Sequence, residues 1–331
     1  MNAARTFLAV DGGGTRTRAL LIDESGAGLG SGAAGSTNRN HHSRDTVRAN
    51  LRAAFLAAAR DAPDALPRLA GATLGMCGVS NAEGAADIVG LVREIPEVPA
   101  AAAVAVINDV LAGLAGGLSG RPGIALIAGT GSACYGFNAQ GDSWWAGGWG
   151  ALADDAGSGH WIGLRAMQAA IRSEDGRLPA TLLRPIVFDF LGLKQPREFL
   201  DRVHNQGLSR EEIASLAPQV MEASRRGDAV ARGILEDAAG ELAAEVAAVA
   251  RRVFGDGACE AIFIGGVALS GPPFTPALVA RIGRAAPGVR VVEPEMTPVQ
   301  GAALEALRAA GIAWTPEVLA NLAQAGKRLP S

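Results

Sequence analysis

Short apolar runs joined by glycine-rich loops stand out in the pattern of hydrophobic and polar positions, and this layout occurs twice. Thr6–Val10 is typical of a buried strand, and a glycine-rich loop connects it to a second apolar run, Arg18–Ile22. Ile124–Ala128 and Ala133–Phe137 repeat the arrangement around another glycine-rich loop. Each loop therefore predicts a β-hairpin, with a third strand after it. The repeat predicts two related halves that face each other across a cleft.

Helical spacing accounts for most of the remaining sequence. Ser43–Ala59 begins with an N-cap serine, Ser209–Glu212 is a capping box, and Asp228–Phe254 predicts a long alanine-rich amphipathic helix. A strand at Ala261–Ile264 precedes a pair of glycines, and a final helix is predicted over Pro298–Ala310. The mixture of strands and helices predicts an α/β protein. Its 331 residues exceed one typical core and predict two domains.

Composition excludes several classes of function. The net charge of −3 implies no basic face, which argues against nucleic acid as a partner. The longest apolar run, Val98–Ile107, is about half of a membrane span, and the N-terminus lacks the pattern of a signal peptide. Cys77, Cys134 and Cys259 lie far apart, which argues against a disulfide scaffold or a zinc site. A cytoplasmic protein with no membrane partner is expected.

The first loop, Asp11–Thr17, carries groups that suit a nucleotide phosphate. Its glycines let backbone N–H groups approach phosphate oxygens, and Thr15 and Thr17 add hydroxyl donors. Asp11 is suited to hold Mg²⁺ through water. The alternative is an ordinary hairpin turn. A P-loop or a Rossmann fingerprint is excluded, because each leads into a helix and a P-loop also requires a lysine.

The second loop, Gly129–Ser132, is a weak signal alone and a stronger one when paired with the first. Two donor-rich loops can hold a triphosphate from opposite sides. Such a pair explains how phosphate is bound in a chain whose 30 basic residues include only two lysines, Lys194 and Lys327.

Asn108 and Asp109 end an apolar strand and open a helix, which allows two interpretations. Asn and Asp are favoured N-cap residues, and spacing alone favours that structural role. The functional alternative is that Asp109 is a general base accepting the proton of an attacking hydroxyl. The two roles are compatible, because sites of α/β proteins lie at the carboxyl ends of strands.

Several further segments are candidates for binding, each with a structural alternative. Gly147–Gly150 surrounds a tryptophan and suits a flat platform for a sugar ring, or simple packing of that tryptophan. Asp154 and Asp155 are hydroxyl acceptors or a helix start, and Gly265-Gly266 would let an adenine lie flat on the backbone. Ser36–Asn38 lies in a polar loop that is otherwise generic.

In order and spacing these motifs resemble the N-acetylglucosamine kinases and the wider superfamily of BadF/BadG/BcrA/BcrD ATPases. The motifs are DGGGTRT at 11–17, STN at 36–38, ND at 108–109, AGTGS at 128–132, GGWG at 147–150, DAGSGHWIG at 155–163 and IGGV at 264–267. The resemblance implies a two-domain actin-like (ribonuclease H-like) fold with ATP and Mg²⁺ in an interdomain active-site cleft. It also implies a homodimer. The expected domains are residues 1–116 with about 298–331, and residues 117–297.

The resemblance further implies an ATP-dependent sugar kinase that converts an amino sugar to its 6-phosphate. Asp109 would be the catalytic base toward the sugar 6-hydroxyl, and Asp11 would hold the metal. The residues expected to bind ATP are Gly13, Gly14, Thr15, Thr17, Gly129, Thr130, Gly131, Gly265 and Gly266. Those expected to bind the sugar are Asn38, Asp109, Ser132, Gly148, Trp149, Gly150 and Asp155.

Two departures from the family pattern leave the sugar open. The kinases commonly have asparagine after the second loop, where this chain has Ala133, and GDEGS where this chain reads Asp154–Ser158. The added carboxylate beside Asp155 suits an ammonium better than an acetamide, so free glucosamine is an alternative to N-acetylglucosamine.

The rival function is that of the dehydratase and reductase activators of the same superfamily, which use ATP hydrolysis to drive electron transfer. They share an iron–sulfur cluster between subunits, with two cysteines from each subunit. Cys77 and Cys134 do not form a convincing pair for such a cluster.

Overall fold

The chain forms two compact units in the computed structural model, which describes residues 4–39, 42–79, 81–327 and 329. Unit 1 combines residues 1–121 with residues 293–331, and unit 2 is the continuous stretch 122–292. Unit 2 is therefore inserted into unit 1 along the chain.

The chain enters and leaves unit 2 at one place in unit 1. The backbone N–H of Glu295 donates to the Gly117 carbonyl oxygen at 2.9 Å, and the Arg121 guanidinium pairs with the Glu295 carboxylate at 2.5 Å. These contacts hold the segment after residue 116 in unit 1, so the units divide after Arg121 and after Val292. Unit 2 is therefore five residues shorter at each end than the expected domain of residues 117–297.

The secondary structure follows the predicted alternation of strands and helices. Unit 1 begins with β1 (Thr6–Gly12), β2 (Arg16–Asp23), β3 (Gly28–Gly35), α1 (Arg44–Ala58), a 3-10 helix (Pro63–Arg68), β4 (Leu69–Met76), α2 (Ala82–Arg93), β5 (Ala103–Asn108) and α3 (Asp109–Gly117). Unit 2 contains β6 (Gly123–Ala128), β7 (Ser132–Phe137), β8 (Ser143–Gly147), α4 (Gly159–Glu174), α5 (Leu183–Leu191), α6 (Glu198–Leu200), a π-helical turn (Asp201–Asn205), α7 (Arg210–Ala214), α8 (Ala217–Arg225), α9 (Ala229–Phe254), β9 (Cys259–Ile264), α10 (Phe274–Ala285) and β10 (Val289–Val291). Unit 1 then resumes with α11 (Pro298–Ala309) and α12 (Pro316–Gly326).

Both units build a five-stranded sheet with the same topology, which confirms the internal repeat. The strand orders are β3-β2-β1-β4-β5 and β8-β7-β6-β9-β10. In unit 1, β2 pairs antiparallel with β1 and with β3, and β4 and β5 run parallel to β1. In unit 2, β7 pairs antiparallel with β6 and with β8, and β9 and β10 run parallel to β6. The two glycine loops are the β1–β2 and β6–β7 hairpins, at equivalent positions.

The sheet of unit 1 is covered by helices on both faces. Successive side chains of β1 point to opposite faces, so Leu8 and Val10 pack with α1 and α2, whereas Phe7 and Ala9 pack with α11 and α12. In unit 2, Ile124 of β6 lies in one continuous apolar core that also contains residues of α4, α5 and α8 to α10. No helix in the described part of the chain combines the length and apolar character needed to cross a bilayer.

One prediction about the helices was wrong. The sequence predicts that Pro298–Ala310 is the final helix, but α12 follows it, with Thr315 as N-cap and Pro316 in the first turn. The Thr315 side chain accepts a hydrogen bond from the Val318 N–H. The buried residues of α12 are Val318, Leu322 and Ala325, and they belong to the same apolar cluster as the buried residues of α11.

Helices α3 and α11 pack closely because glycines face each other across their contact. A Cβ atom added to Gly301 would overlap the Ala112 carbonyl oxygen and lie 2.5 Å from the Gly116 nitrogen. A Cβ at Gly116 would lie 3.2 Å from the Gly301 Cα. The two backbones therefore approach to a distance that only glycine permits.

We expect Gly301→Ala to destabilise unit 1 by about 1–3 kcal/mol, because overpacking forces the two helices apart. The control is Gly233→Ala in α9, where an added Cβ would meet no atom within 4 Å and should stabilise the helix by about 0.5–1 kcal/mol. Urea unfolding followed by circular dichroism measures both changes. Equal stability of the two variants would contradict the close packing of α3 on α11.

Candidate active site

The first glycine loop is a tight turn between β1 and β2 with open space on one side. The Gly13 N–H donates to the Arg16 carbonyl oxygen at 2.9 Å, which closes the turn. A Cβ added to Gly14 would meet nothing within 4 Å, and the Thr15 side chain is exposed. Gly14 and Thr15 therefore face open space on the surface of unit 1, whereas the Gly13 N–H is already used within the turn.

Thr17 differs from the other predicted residues of this loop. Its side chain is fully buried, and its hydroxyl forms a 2.9 Å hydrogen bond with the Thr37 hydroxyl. This contact favours a supporting role, in which Thr17 fixes β2 against the 36–38 segment. Thr15 is then the exposed threonine hydroxyl of the loop.

The predicted sugar-binding segment at 36–38 lies against the first loop. The Ser36 hydroxyl donates to the Gly13 carbonyl oxygen at 3.2 Å and accepts a hydrogen bond from the Asn38 N–H at 3.2 Å. The Asn50 side-chain amide donates to the Ser36 carbonyl oxygen at 2.7 Å. Asn38 is buried. The structure thus brings Asn38 and the glycine loop together in unit 1.

Asp109 lies in the first turn of α3, beside the N-cap residue Asn108 and the Val110 N–H. Asn108 is the N-cap residue, and its Oδ1 accepts a hydrogen bond from the Val110 N–H at 3.0 Å. The Asp109 Oδ1 accepts from the same N–H at 3.0 Å. The predicted capping role therefore belongs mainly to Asn108, which leaves the second oxygen of Asp109 for other chemistry.

Asp11 and Asp109 lie at the carboxyl ends of parallel strands in the same sheet, β1 and β5. Burial raises the pKa of Asp11 to about 6, and Arg18, 3.9 Å away, opposes this shift. Burial also raises the pKa of Asp109 to about 6, with a further contribution from the charge on Asp11. Each carboxyl thus titrates close to neutral pH, and the two interact.

The pair formed by Asp11 and Asp109 is the kind of open acidic site that suits a magnesium ion. Mg²⁺ is usually bound by one or two carboxylates together with water and substrate phosphates. Asp11 could supply one such carboxylate beside the first glycine loop. The described residues contain no group of three or more His, Cys, Asp or Glu arranged to hold a metal.

The second glycine loop is held by the first turn of α4. The Gly159 N–H donates to the Gly129 carbonyl oxygen at 2.7 Å, and the His160 N–H donates to the Thr130 carbonyl oxygen at 3.1 Å. A Cβ at Gly129 would meet nothing within 4 Å, so this part of the loop is open. The loop is fixed from one side and exposed on the other, as in unit 1.

Gly265 and Gly266 lie directly beside the second loop, at the end of the neighbouring strand. Gly265 has a φ of +94°, and a Cβ there would be 2.5 Å from the Ala128 carbonyl oxygen. A Cβ at Gly266 would meet nothing within 4 Å. The structure therefore brings this glycine pair and Gly129 together in unit 2.

Asp155 is buried, and its backbone has a φ of +53°, which is uncommon for a residue other than glycine. Its Oδ2 accepts a hydrogen bond from Nη2 of Arg210, the first residue of α7. A Cβ added to Gly131 would lie 2.9 Å from the Asp155 Oδ2 and 3.2 Å from the Arg210 Nη2. The ion pair thus rests on the second glycine loop.

Ser132 and Gly147 both contact Glu245, a residue of α9 that the sequence did not single out. The buried Ser132 hydroxyl lies 3.0 Å from the Ala156 carbonyl oxygen and 3.4 Å from the Glu245 Oε1. A Cβ at Gly147 would lie 2.6 Å from the Glu245 Cδ. Burial, followed by the charge of Asp154, raises the pKa of Glu245 to about 9. Glu245 is therefore protonated at neutral pH.

The predicted platform around Trp149 projects from unit 2. The backbone of this segment is left-handed at three glycines, with φ values of +71° at Gly147, +75° at Gly148 and +87° at Gly150. Residues other than glycine rarely adopt this conformation. The Trp149 side chain is 79% exposed, and Leu152 is fully exposed. In this structure the tryptophan is not packed into the core.

Comparison with known proteins identifies the family. Residues 8–306 match the BadF/BadG/BcrA/BcrD ATPase family. The chain belongs to this ATPase family. The resemblance inferred from the motifs is thereby confirmed over most of the sequence.

Two curated relatives of this ATPase family member are described as sugar kinases. It is 34% identical, over 73% of its length and 78% of the relative's, to an N-acetylmuramic acid/N-acetylglucosamine kinase of Clostridium acetobutylicum. A crystal structure from Chromobacterium violaceum, described as a candidate N-acetylglucosamine kinase, is 26% identical over 91% of this chain and 98% of that one, with a TM-score of 0.72. A ROK family glucokinase from Streptomyces griseus shares 18% identity over 92% of this chain and 99% of its own, with a TM-score of 0.58. The actin-like ATPase fold is confirmed.

Two residues of this ATPase family member escaped the sequence analysis, Arg210 and Glu245. Arg210 was seen only as part of a capping box, which the structure confirms. Glu245 lies in an alanine-rich helix whose apolar neighbours Leu242, Val246 and Val249 are buried. A glutamate on the buried face of an amphipathic helix was the available signal.

Proposed function

We propose that the protein transfers the γ-phosphoryl group of ATP to the 6-hydroxyl of N-acetylglucosamine. The predicted enzyme class, an ATP-dependent sugar kinase, is confirmed by the family and its curated relatives. The 6-hydroxyl is the position that the family resemblance implies, and the charges in unit 2 support the acetamido sugar.

The observation that carries this proposal is the environment of Asp109. Its carboxyl group lies at the end of β5, and its pKa of about 6 keeps it ionised at neutral pH while leaving it basic. A general base works best when its pKa lies near the operating pH. Asp109 would accept the proton of the 6-hydroxyl as that oxygen attacks the γ-phosphorus and ADP leaves.

The glycine loops would bind the phosphates of ATP. In unit 1 the donors would be the N–H groups of Gly14 and Thr15 with the exposed Thr15 hydroxyl, because the Gly13 N–H already bonds the Arg16 carbonyl oxygen. In unit 2 they would be the N–H groups of Thr130 and Gly131 with the Thr130 hydroxyl, because the Gly129 N–H already bonds the Gly131 carbonyl oxygen. Both loops are anchored by hydrogen bonds on the side away from the open space. They can therefore present their N–H groups without rearrangement, which is the main requirement for stabilising a phosphoryl transition state.

Magnesium, held through water by Asp11, would supply positive charge that neutralises the phosphate oxygens. Asp11 suits this role because it is a half-buried carboxyl at the end of β1, beside the first glycine loop, and Arg18 at 3.9 Å favours its ionised form.

The charges in unit 2 favour an acetamido sugar over a free amine. The Arg210 guanidinium compensates the Asp155 carboxylate, and Glu245 is protonated because its pKa is raised to about 9. Asp155 and Glu245 therefore add no net negative charge that would attract an ammonium, and the support for glucosamine is limited to Asp154.

The rival function, an activator with an iron–sulfur cluster, finds less support. Cys134 is fully buried in β7, within the core of unit 2, and burial raises the pKa of its thiol well above the usual value. A cluster shared between subunits requires exposed thiolates. Cys134 does not meet that requirement.

A coupled assay of ADP release tests the proposed function, with N-acetylglucosamine, N-acetylmuramate, glucosamine and glucose as substrates. We expect kcat/KM to be highest for an acetamido sugar, and ³¹P NMR to place the phosphate on the 6-oxygen of N-acetylglucosamine. A preference for glucosamine, or a phosphate on another oxygen, would contradict the proposal.

The pH profile gives a second test of Asp109. We expect kcat/KM to fall as the pH drops through about 6, because protonation of the base abolishes proton acceptance. The apparent pKa belongs to the interacting Asp11–Asp109 pair. A profile that stays flat from pH 5 to 8 in the coupled assay would show that no group with this pKa controls the reaction.

A further inference from the structure

We propose that Arg210 is the phosphate-binding cation of unit 2, contacting a phosphate of ATP beside the second glycine loop. This inference rests on the proposed function, because it takes the Gly129–Gly131 loop as a binding site for ATP phosphates. It assigns to Arg210 the task that a lysine performs in a P-loop.

The position of Arg210 is fixed by the packing of α7 on α4. A Cβ at Gly163 would overlap the Ile213 carbonyl oxygen, and a Cβ at Gly159 would lie 3.4 Å from the Ala214 Cβ. The α7 helix begins with the Ser209 capping box, which places Arg210 in its first turn. Gly159 itself donates to the Gly129 carbonyl oxygen. The same helix α4 therefore positions both the loop and the arginine.

The guanidinium lies against the loop and retains unused donors. The Arg210 Nη2 would be 3.2 Å from a Cβ added to Gly131, so a larger residue there would crowd the ion pair. Its bond to Asp155 uses one of five N–H donors. Among the described residues nothing accepts a hydrogen bond from its buried Nε, and the side chain is still 33% exposed. The ion pair with Asp155 thus holds the guanidinium without saturating it.

The positive charge of Arg210 is also felt by its surroundings. Burial lowers the pKa of His160, the charge of Arg210 lowers it further, and the charges of Asp155 and Glu211 oppose that shift. The other cations that a phosphate site commonly uses are almost missing from the sequence, whose two lysines are Lys194 and Lys327. Both lie away from the loop along the chain, and Lys327 belongs to unit 1.

Arginine suits this task because its planar fork can bind a phosphate and a carboxylate at the same time. Asp155 would then have two effects. It orients the guanidinium, and it occupies only one of the five N–H donors.

Calorimetric titration of the purified protein with ATP and with adenosine tests this inference without any sugar. We expect Arg210→Gln to weaken ATP binding at least tenfold and to leave adenosine binding unchanged, because only ATP carries phosphates. Arg210→Lys should fall between Arg210→Gln and the unchanged protein, because it keeps the charge and loses the fork. The control is Arg202→Gln, which removes an arginine paired with Glu212 at 3.6 Å.

The double variant Arg210→Gln/Asp155→Asn separates phosphate binding from a merely structural role. Removing Arg210 alone leaves the buried Asp155 uncompensated, which can itself disturb the loop. If Arg210 contacts phosphate, ATP binding stays weak in the double variant. Recovery of ATP affinity there, or unchanged ATP affinity in Arg210→Gln, overturns the inference. Equal losses for ATP and adenosine overturn it as well.

The sugar assay distinguishes this inference from the proposed function. If the unchanged protein binds ATP but phosphorylates no sugar, the proposed function fails, and the ATP titrations still decide the role of Arg210. If the unchanged protein phosphorylates N-acetylglucosamine and Arg210→Gln binds ATP equally well, only the inference about Arg210 fails.

Discussion

Replacing Asp109 with asparagine is expected to lower kcat by about 10²–10⁴-fold, the usual contribution of a general base. The structure indicates that this change is mild in other respects. The Asn108 side chain caps α3, and an asparagine at position 109 can still accept the hydrogen bond from the Val110 N–H. Binding of ATP and thermal stability should therefore be preserved. Steady-state kinetics and an ATP titration of the same preparation measure both properties.

A matched control for this variant is Asp45→Asn in the first turn of α1, another acidic residue near a helix N-terminus in unit 1. It removes the same charge from the first turn of another helix, at a position whose side chain is 85% exposed and has no predicted role in the reaction. We expect it to retain kcat. If Asp109→Asn retains nearly full turnover, the sugar hydroxyl does not lose its proton to Asp109.

The Glu245→Gln variant is expected to be more stable than the unchanged protein, by a margin that grows with pH. Folding raises the pKa of Glu245 from 4.5 to about 9, mainly through burial. Above pH 4.5 the unfolded chain gains stability by losing this proton, whereas the folded protein must keep it. The folded state therefore loses stability relative to the unfolded state up to about pH 9, by at most about 1.4 kcal/mol per pH unit. Glutamine is uncharged throughout and avoids that loss.

Urea unfolding at pH 5 and pH 8 measures this difference. We expect nearly equal stability at pH 5 and a clear advantage for Glu245→Gln at pH 8. The control is Glu241→Gln, an exposed position one turn earlier in α9, which should change stability little at either pH. An advantage of the same size at both pH values would mean that Glu245 is ionised in the folded protein.

The local pattern of the sequence was sufficient to predict the two hairpins and much of the helical structure. Apolar runs, glycine loops and N-cap residues act over a few residues, so Ser43, Ser209 and Asp228 identified their helices correctly. The same kind of signal was present for α12, where Thr315 and Pro316 form an N-cap and a first turn. That helix was missed because the α11 pattern was read as the end of the fold.

The arrangement of the candidate site was less accessible to sequence reasoning. Asp155 meets Arg210 across 55 residues, and Glu245 reaches Ser132 across 113. These contacts depend on how α7 and α9 pack in unit 2, which no local pattern specifies. Sequence alone could therefore identify the extra acidic residue beside Asp155, but it could not show that Asp155 is neutralised by a guanidinium.

The insertion of unit 2 within unit 1 has a consequence for synthesis on the ribosome. Residues 1–121 are made before residues 122–292, yet α11 and α12, which cover Phe7 and Leu20 on one face of the unit 1 sheet, follow only after residues 122–292. At about 5–20 residues per second, that face waits roughly ten to thirty seconds for its cover. Unit 2 is continuous and can fold as it is made. The nascent N-terminal sheet is thus the part of this protein that most needs protection from aggregation in the cell.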